Sequence, residues 1–503
     1  MINIIKLRQT LSSLPSSDGL KGKIYLFVTI RSFSFVMHQE LFLANILARN
    51  GAKVVVLLDD GNLPHWDTFQ LHESGNPSNS SVTLRNKLTR TLFLSLYHHP
   101  SIKVVYTSCI LKRKGRDAID QQILDKGDEL NAVSSVRRFF ECGYFDEKDK
   151  DHQAYYQKTI INIKMMKLFS KSLLEDYNFD AVITSHGIYS IWGTAYNYFK
   201  SKGIKVYVHG PHAYRNCHTH FTDTLAQTIS KDSSCIEYMK NGILNDNIKK
   251  MVDDYFSARR NHTTKDTSIY YSWMDKQEEL SIGKKDKKTI NYGMFPNIIW
   301  DGDIVQRDTI FNGMLDWMIK TIDHFLAHQD NNLTIRFHPA EATLWKDTAK
   351  LSDTILKLYP KIEEAPNITL IKAEQQIDTY SFVRDNIDVG IIYDGMLSLE
   401  LTHMRKPVIS PSCNRYTGGT FVLNPESQQK YFELLDTFPF EGYFTKEKEE
   451  EFYRYSYWYL YLSAYMMPMY SDTQYGKILY NSNTLERLTN PEFVNLYQKL
   501  MKL

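Results

Sequence analysis

The sequence predicts an α/β protein made of two doubly wound, Rossmann-like domains, and three observations support this. With 503 residues the chain exceeds the roughly 250 to 300 residues at which a single hydrophobic core stops growing. Short apolar runs alternate with amphipathic helical stretches, which is the pattern of a parallel sheet covered by helices. A polar stretch after residue 260 interrupts this alternation, which starts again at residue 289.

Two βαβ units are predicted in the first half of the chain. The first helix, FVMHQELFLANILARNG, has apolar residues at helical spacing and Gly51 as its stop. The second helix, YSIWGTAYNYFKSKG, has the same pattern. The predicted strands are IYLFVTI (24–30), KVVVLLDDG (53–61), KVVYT (103–107), DAVITSHG (180–187) and KVYVHGPH (205–212).

The second half repeats the strand–helix alternation and predicts another doubly wound sheet. Its strands are TINYGMF (289–295), LTIRFHPAE (333–341), ITLIKA (368–373), VGIIYDG (389–395) and PVIS (407–410). Past residue 440 the chain becomes helical and aromatic, as in EEEFYRYSYWYLYLSAYMMPMY. That run predicts a helix packed into a groove between domains, with a membrane-surface helix as the alternative.

These patterns divide the chain into four parts. Residues 1–275 form the first Rossmann-like domain, and residues 276–288, which end in GKKDKK, form the linker. Residues 289–440 form the second Rossmann-like domain, and residues 441–503 form a C-terminal helical segment.

Composition and charge exclude several classes of function. The 60 Lys and Arg residues nearly balance the 58 Asp and Glu residues, so no global field attracts nucleic acid or an anionic membrane. Five widely spaced cysteines without a C-x-x-C pair argue against a disulfide framework and a zinc ribbon. Apolar runs are too short for a transmembrane helix. A cytoplasmic protein is expected, with peripheral contact at the cytoplasmic face of the inner membrane left open.

Polar residues follow the predicted strands, where ligands of open α/β sheets bind. In the first half these residues are Asp59-Asp60-Gly61, His186-Gly187 and His209-Gly210. In the second half they are Asn297, Trp300 to Asp303, Arg336, His338-Pro339 and Asp394-Gly395.

Two motifs of the second half predict an anion pocket. IRFHPAE would aim Arg336 and His338 at a phosphate or carboxylate, with Pro339 fixing the backbone beyond them. YDGMLSLELTHMRKPVIS places a turn at Gly395 before a helix, whose free amides and dipole favour a phosphate. Ser398 and Glu400 lie in the first turns of that helix. Glu400 would accept hydrogen bonds from a ribose or merely offset the dipole.

The motif order resembles the donor half of GT-B glycosyltransferases. More closely, four motifs of the second half (FPNIIWDGD, IRFHPAE, YDGMLSLELTHMRKPVI and YTGGTFVLNP) resemble bacterial capsular polysaccharide biosynthesis proteins, relatives of Kdo- and sialyl-transferring enzymes. In the first half, LLDDGNLP and SHGIYSIWGTAYNYFKSKGIKVYV resemble the same family. The resemblance covers roughly residues 24 to 430.

This resemblance implies a GT-B-like fold, in which two Rossmann-like domains face a cleft and C-terminal helices pack back across the domains. The first domain would bind the acceptor and the second the nucleotide-sugar donor. His338 and Pro339 would contact a cytidine monophosphate leaving group, Glu400 the ribose, and Asp59-Asp60-Gly61 would supply the general base.

Two positions depart from the family pattern. Asp394-Gly395-Met396 replaces the usual Ser-Ser or Ser-Thr pair at the phosphate turn. Ile392 stands where retaining enzymes often carry a second Glu, which favours inversion.

An inverting transfer needs a base for the acceptor hydroxyl and groups that hold the leaving phosphate. Asp60 or His186 would be the base. The predicted donor-binding residues are Arg336, His338, Pro339, Asp394, Gly395, Ser398, Glu400, Asn297 and Trp300. Candidates for an acceptor contact or a closing loop are His209, His212, Tyr416, Gly418 and Gly419.

No metal or other cofactor is expected to be required. Asp301-Gly302-Asp303 fits a turn better than a metal site, and the spacing in HGPHAYRNCHTHF (209–221) matches no common zinc site, which favours a polar loop facing the cleft.

The sequence thus predicts a glycosyltransferase that moves a sugar from a nucleotide-sugar donor, with a CMP-sugar as one candidate, to a surface or capsular polysaccharide, glycan or glycolipid acceptor. The alternatives are a CDP-alcohol-dependent glycerophosphotransferase-like enzyme and a non-catalytic capsule-assembly protein.

Overall fold

Two sheets organise the chain, one in each of two units. The computed structural model describes residues 3–30, 35–67, 88, 90–212, 214–261, 263, 289–300, 309–343, 350–375, 377–472 and 477–503. The first unit comprises Met1–Phe140, Phe145–Ala226 and Tyr461–Leu503. The second comprises Glu141–Tyr144 and Gln227–Leu460. Elements are numbered below in chain order through both units.

The first unit contains a seven-stranded sheet in the order β12-β6-β5-β4-β1-β2-β3. All pairs are parallel except β5–β6 and β6–β12. Its strands are β1 (Ile24–Ile30), β2 (Lys53–Leu58), β3 (Ile102–Tyr106), β4 (Ala181–Ser185), β5 (Lys205–Pro211), β6 (His218–Thr222) and β12 (Tyr465–Met466). Strands β1 and β4 are buried along nearly their whole length, as expected for central strands covered on both faces.

The helices of the first unit connect and cover this sheet. A one-turn π-helix, Tyr189–Gly193, precedes α7. The helices are α1 (Ile4–Ser12), α2 (Phe35–Arg49), α3 (Thr107–Lys114), α4 (Asp117–Asp120), α5 (Lys126–Phe140), α6 (Lys150–Asp176), α7 (Thr194–Ser201), α17 (Ser482–Glu486) and α18 (Pro491–Leu500). The core cluster joins α2 to the C-terminal segment, where the rings of Phe42 and Phe493 lie 6.2 Å apart.

The second unit contains a five-stranded, all-parallel sheet in the order β11-β10-β7-β8-β9. Its strands are β7 (Asn291–Phe295), β8 (Asn332–Arg336), β9 (Ile368–Ile371), β10 (Val389–Ile392) and β11 (Val408–Ile409). Its helices are α8 (Ser233–Asn241), α9 (Asp246–Arg260), α10 (Met314–Ala327), α11 (Ala340–Thr343), α12 (Leu351–Leu358), α13 (Thr379–Asn386), α14 (Leu397–His403), α15 (Gln428–Asp436) and α16 (Lys446–Tyr457).

Both sheets have the strand order of a doubly wound sheet, which confirms the predicted fold class. In each unit the chain starts at a central strand, winds outward in one direction, and then returns to the other side of that strand. The direction reverses between β1 and β4 in the first unit and between β7 and β10 in the second. A crevice at the carboxyl ends of such a pair is where ligands of open α/β sheets bind.

The units divide the chain at other places than the boundaries predicted from the sequence. Residues 227–260 belong to the second unit, although the prediction assigned them to the first domain. The reason is packing, because α9 contacts α14 and α16 and its Arg259 pairs with Glu400 of α14. Residues 461–503 belong to the first unit, where β12 extends the sheet beside β6. The predicted linker 276–288 lies outside the described residues.

One local prediction also needs correction. The His-rich stretch 209–221 is not a loop, because most of it forms the antiparallel β5–β6 pair. The aromatic run is divided between the units: up to Leu460 it belongs to the second, where Phe452 and Tyr455 lie against Phe421, and from Tyr461 it belongs to the first. Among the described residues, no helix combines the length and the hydropathy needed to cross a membrane.

The Arg259–Glu400 ion pair is predicted to anchor α9 to the second unit. Arg259 Nε donates to Glu400 Oε1 over 2.5 Å, and both residues are buried. Glu400→Gln should lower the free energy of unfolding by about 3 kcal/mol, because it leaves a buried guanidinium without its counter-charge. Urea denaturation measures this change. Asp254→Asn, which breaks an exposed pair with Lys250 on the same helix, should cost less than about 0.5 kcal/mol. Equal losses in the two variants would contradict the assignment.

Candidate functional site

The second unit brings the predicted phosphate-binding motifs to one edge of its sheet. Strands β8 and β10 flank β7 and run parallel to it, so all three carboxyl ends face the same way. His338 follows β8 and Gly395 follows β10, with one strand between them. Given the spacing of about 4.8 Å between neighbouring strands, the two strand ends are separated by about 10 Å. Asn297 follows the central strand β7, and it is half-buried there.

Arg336 is a buried cation that has no anionic partner in the part of the chain that the structure describes. Its side chain is 4% exposed, and Nη1 donates to the backbone oxygens of Phe337, at 2.7 Å, and Lys372, at 3.0 Å. No carboxylate among the described residues pairs with the guanidinium, and Nε has no hydrogen-bond partner there. Burial lowers the pKa of Arg336 to about 10, so the group remains charged at pH 7. An uncompensated buried charge is costly, which marks this position for an external anion.

His338 is a neutral hydrogen-bonding group in this environment and not a cation. Burial, with a smaller contribution from the positive charge of Arg336, lowers the pKa of His338 to about 4. The N–H of Ala340 donates to Nδ1 over 3.1 Å, so the ring proton resides on Nε2. At pH 7 the imidazole is therefore neutral and carries its proton on Nε2. Pro339 continues the chain into α11, and its carbonyl accepts a hydrogen bond from Thr343 Oγ1 over 3.1 Å.

Glu341, on α11, is a titratable group that the sequence prediction missed. It has no exposed surface, and its Oε2 accepts a hydrogen bond from the Leu351 N–H over 3.3 Å. Its Oε1 has no partner among the described residues. Burial raises the pKa of Glu341 to about 7. The sequence signal that could have identified Glu341 is its position in HPAE, three residues after His338. This position places it on the one-turn helix α11 at the carboxyl edge of the sheet.

Glu400 has partners inside the unit, contrary to the expectation that it binds a ribose. Oε1 accepts from Arg259 Nε and also from the Tyr380 hydroxyl over 2.9 Å. A carboxylate that is 4% exposed and holds these two donors acts as the centre of a structural network. Ser398 is fully buried, and its Oγ has no partner among the described residues.

The helix turn at Gly395 offers fewer free amides than predicted. Helix α14 has seven residues, and the N–H groups of its second and third residues, Ser398 and Leu399, donate to the carbonyls of Gly395 and Met396. A Cβ at Gly395 would meet only ordinary contacts, so close approach of the backbone does not require glycine there. Asp394 lies near Tyr459 and helps to raise the pKa of its hydroxyl, although burial is the larger cause.

The YTGGTF stretch is packed and not an open loop that could close over a donor. Tyr416 is 4% exposed. A Cβ on Gly418 would lie 1.8 Å from the Tyr455 ring, and one on Gly419 would lie 2.8 Å from the Phe421 ring. Glycine is therefore required by close packing of aromatic rings and not by flexibility. Trp300 is also buried, at 3% exposure, so its ring is not offered to a ligand. Asp301 to Asp303 lie outside the described residues.

In the first unit, the Asp59-Asp60 pair follows β2 and is held by hydrogen bonds. Asp59 is 1% exposed and accepts from Trp66 Nε1 over 2.9 Å. Asp60 is half-buried and accepts from the N–H and hydroxyl of Ser108 and from Thr107 Oγ1. Partial burial opposes ionisation of Asp60, but the hydrogen bonds from Ser108 and Thr107 outweigh it and lower the pKa of the carboxyl. This arrangement ties β2 to α3 and weakens Asp60 as a proton acceptor.

His186 lies at the strand-order reversal of the first unit, in a strained backbone. It follows β4 with φ of 50°, and Ile30, at the end of neighbouring β1, also has φ of 50°. A left-handed conformation costs a β-branched or bulky residue on the order of 1–2 kcal/mol. The His186 ring is half-buried and its Nδ1 lies 2.7 Å from Ser185 Oγ. Strain at two adjacent strand ends is typical of a functional site.

The two remaining histidine candidates are buried inside the first unit. His209 has no exposed surface, and its Nε2 lies 2.8 Å from Glu40 Oε1 while its Nδ1 lies 3.0 Å from Gln39 Nε2. His212 is 5% exposed and its Nδ1 accepts from the Tyr214 N–H over 3.2 Å. Both are buried in the β5–β6 region, and their role as acceptor-contacting residues stays a prediction.

Comparison with known proteins gives likenesses of fold only. No protein-family model matches the chain, and no curated protein matches it. Two solved structures of Thermosulfurimonas dismutans KpsC resemble it. One is a beta Kdo 2,7 transferase (TM-score 0.36, 10% identity, covering 65% of this chain and 88% of that chain), and the other is a beta Kdo 2,4 transferase (TM-score 0.35, 9% identity, covering 55% and 79%).

A third likeness is to a UDP-GlcNAc 2-epimerase from Neisseria meningitidis bound to UDP-GlcNAc. It has a TM-score of 0.25 and 12% identity, and it covers 82% of this chain and 90% of that chain. At such values none of these structures bears on substrate or mechanism, so the chemistry of the site has to be derived from its own residues.

Glu341 is predicted to make the second unit less stable as the pH rises. Its pKa is raised on folding, so the folded state binds the extra proton between pH 4.5 and 7, and stability falls across that range. A shift from 4.5 to about 7 corresponds to about 3 kcal/mol. Urea denaturation at pH 5 and pH 8 should show that Glu341→Gln removes most of this loss. Glu363→Gln, at an exposed site, should keep the parent's pH dependence. A Glu341→Gln variant with the parent's pH dependence would contradict the buried-acid assignment.

Proposed function

We propose that the chain is an inverting glycosyltransferase whose second unit binds the phosphate of a nucleotide-sugar donor through Arg336 and His338. One observation carries this proposal: a buried guanidinium that pairs with no carboxylate among the described residues stands at the carboxyl edge of a doubly wound sheet, next to a neutral imidazole. A nucleotide phosphate has the charge and the acceptor oxygens that such a pair requires.

The proposed chemistry is charge stabilisation of the leaving nucleotide. As the glycosidic bond to phosphate breaks, negative charge grows on the departing oxygen. Arg336 supplies a permanent positive charge, and His338 Nε2–H supplies a hydrogen bond that needs no proton from solvent. Because the guanidinium is already desolvated, its attraction to the developing anion is stronger than it would be in water. These groups would take the role that a divalent metal has in other transferases, so no cofactor is proposed.

For the general base, the contacts favour His186 over Asp60. Asp60 is engaged by the donors of Thr107 and Ser108, and its lowered pKa reduces its affinity for a proton. His186 lies instead at the strand-order reversal of its unit, where strained backbone holds the ring in place. An imidazole has a proton affinity suited to accepting a hydroxyl proton near pH 7. We therefore assign His186 as the base and Asp60 as a residue that positions the β2–α3 connection.

The nature of the donor and acceptor rests on the resemblance stated above. It supports a CMP-sugar as one candidate donor and a capsular or surface glycan as the acceptor, handled at the cytoplasmic face of the inner membrane. Of the predicted donor residues, Asn297 and Asp394 remain candidates beside Arg336 and His338, because both follow strands that border the reversal point. The CDP-alcohol alternative needs the same phosphate pocket and is distinguished by the ligand screen below.

Nucleotide binding is predicted to depend on Arg336. Thermal denaturation of the full chain with CMP, CDP, UDP and GDP should show a raised melting temperature for at least one nucleotide, since binding at about 100 times Kd adds near 2.7 kcal/mol. CMP is the leaving group of both a CMP-sugar and a CDP-alcohol, so a response to CMP fits either donor, and a stronger response to CDP than to CMP would favour the polyol-phosphate alternative.

Arg336→Met should abolish that ligand-dependent rise. Without ligand its melting temperature should stay within about 3 °C of the parent, because removal of an uncompensated charge offsets the lost bonds to two carbonyls. Arg384→Gln, at an exposed arginine of the same unit, should bind as the parent does. An Arg336→Met variant that binds the nucleotide as tightly as the parent would contradict the proposed phosphate pocket.

Base catalysis is predicted to separate His186 from Asp60. With the donor identified by the screen, His186→Asn should reduce kcat by about 10²- to 10⁴-fold while nucleotide affinity is unchanged. Asp60→Asn should lower the melting temperature and retain more activity, since its carboxylate organises Ser108 and Thr107. The opposite ranking of the two kcat values would assign the base to Asp60. Product formation and the melting temperature are measured on the same preparations.

A further inference from the structure

Two histidines and an aspartate converge at the ends of α10 and α15 in the second unit. His324 lies in the last turn of α10, and His328 follows four residues later at its C-terminal cap. Asp436 is the last residue of α15. One ligand-type atom from each of the three lies within 4.8 Å of the other two. None of them takes part in the proposed sugar transfer.

Local packing brings the three side chains close together. Histidines four residues apart share one face of a helix, and the rings of His324 and His328 lie 4.4 Å apart. His324 Nε2 lies 2.9 Å from Asp436 Oδ1. The His324 ring also stacks on Phe432 of α15, with centroids 4.9 Å apart and planes at 23°. Thus His324 is fixed by its neighbours, while His328 and Asp436 are exposed, and Nδ1 of His328 lies 3.0 Å from the His324 carbonyl oxygen.

This cluster lies at the amino edge of the sheet, opposite the carboxyl edge that carries Arg336. Asn331, directly before β8, donates its side-chain N–H to the Leu435 carbonyl over 3.1 Å. Tyr292, near the start of β7, donates its hydroxyl to the Leu434 carbonyl over 3.2 Å. The C-terminal end of α15 is therefore attached to the beginnings of two strands. A ligand bound there cannot reach a donor phosphate at the other edge of the same sheet.

The geometry points to a binding site for a divalent transition-metal ion of the Zn²⁺ class, formed by His324, His328 and Asp436. Two imidazoles and one carboxylate are ligands that Zn²⁺ prefers, with water at the fourth position. Zn²⁺ holds such ligands at about 2.0 to 2.2 Å, which places tetrahedral ligand atoms about 3.4 Å apart. The three ligand atoms lie within 4.8 Å of one another, and His324 Nε2 is 2.9 Å from Asp436 Oδ1. Rotation of the exposed His328 and Asp436 side chains would bring all three atoms to the separations that Zn²⁺ requires.

The role of the bound ion would be to join two helices. The ion replaces the proton shared by His324 and Asp436, and it adds His328 to a connection that now consists of one hydrogen bond and a ring stack. Because the ligands come from the C-terminal ends of both α10 and α15, the metal stabilises the packing of these helices on the sheet. This role is independent of the proposed sugar transfer.

Isothermal titration of the full, chelator-treated chain with ZnCl₂ tests the site. One Zn²⁺ per chain is expected, and saturating Zn²⁺ should raise the melting temperature by about 5 °C. His328→Ala and Asp436→Asn should each weaken binding by roughly 10- to 100-fold. Co²⁺ as a replacement ion should give the visible absorption of a four- or five-coordinate site in the parent and not in His328→Ala.

The controls separate this site from adventitious binding. His98→Ala, at an exposed histidine of the first unit, should bind Zn²⁺ as the parent does. Because His328 and Asp436 are exposed, their variants should match the parent's melting temperature in chelator, which shows that folding is unaffected. Undiminished Zn²⁺ affinity in His328→Ala, or several weak equivalents that survive in both variants, would overturn the proposal. Nucleotide-dependent stabilisation should be unchanged in the His328 and Asp436 variants. Failure of the metal site and failure of the proposed function are therefore distinguishable.

Discussion

A charge buried in a protein must find an opposite charge or a full set of hydrogen bonds, and this constraint governs the second unit. Glu400 meets it with Arg259 and Tyr380, and through that network it holds α9 against the sheet. Glu341 meets it by becoming a neutral acid over most of the pH range below 7. Arg336 meets it only in part, with two backbone carbonyls. Because the incompletely solvated Arg336 guanidinium lies at the carboxyl edge of the sheet, we assign an anion site there.

The strand order makes this edge a site, because parallel strands present their ends together. In the second unit β8 and β10 are brought to either side of β7, so motifs nearly sixty residues apart in sequence share one rim. In the first unit the same order places the strand end that carries His186 beside the one that carries Ile30, and both residues have a left-handed backbone conformation. In each unit these features thus lie at the carboxyl edge of its own sheet.

Much of the fold could be predicted from the sequence, because periodicity is a local property. The strands from Ile24 to Ile30 and from Asn332 to Arg336 stand where apolar runs predicted them. Strand β6 could not be recognised, since HTHFT has neither an apolar run nor a turn signal, and β12 is two residues within an aromatic segment. The grouping of residues 227–260 depends on Arg259 meeting a residue far along the chain, and no local pattern contains that information.

The candidate site could be predicted in position but not in detail. His338 and Arg336 were expected at a strand end, and the structure places both at the carboxyl edge. Their charge states depend on burial, which leaves His338 neutral and makes Glu341 a weak acid. His209 lies in β5 and Gly418 comes after β11, but their neighbours Glu40 and Tyr455 make them parts of the core. A residue at a strand end is therefore a candidate whose role is decided by what packs around it.

A crystal structure of the chain with the nucleotide that stabilises it would test the anion site most directly. We expect a phosphate oxygen at about 2.7 to 3.0 Å from the Arg336 guanidinium, with a second one accepting from His338 Nε2. A nucleotide bound elsewhere, with Arg336 still held by the carbonyls of Phe337 and Lys372, would contradict the assignment of the anion site.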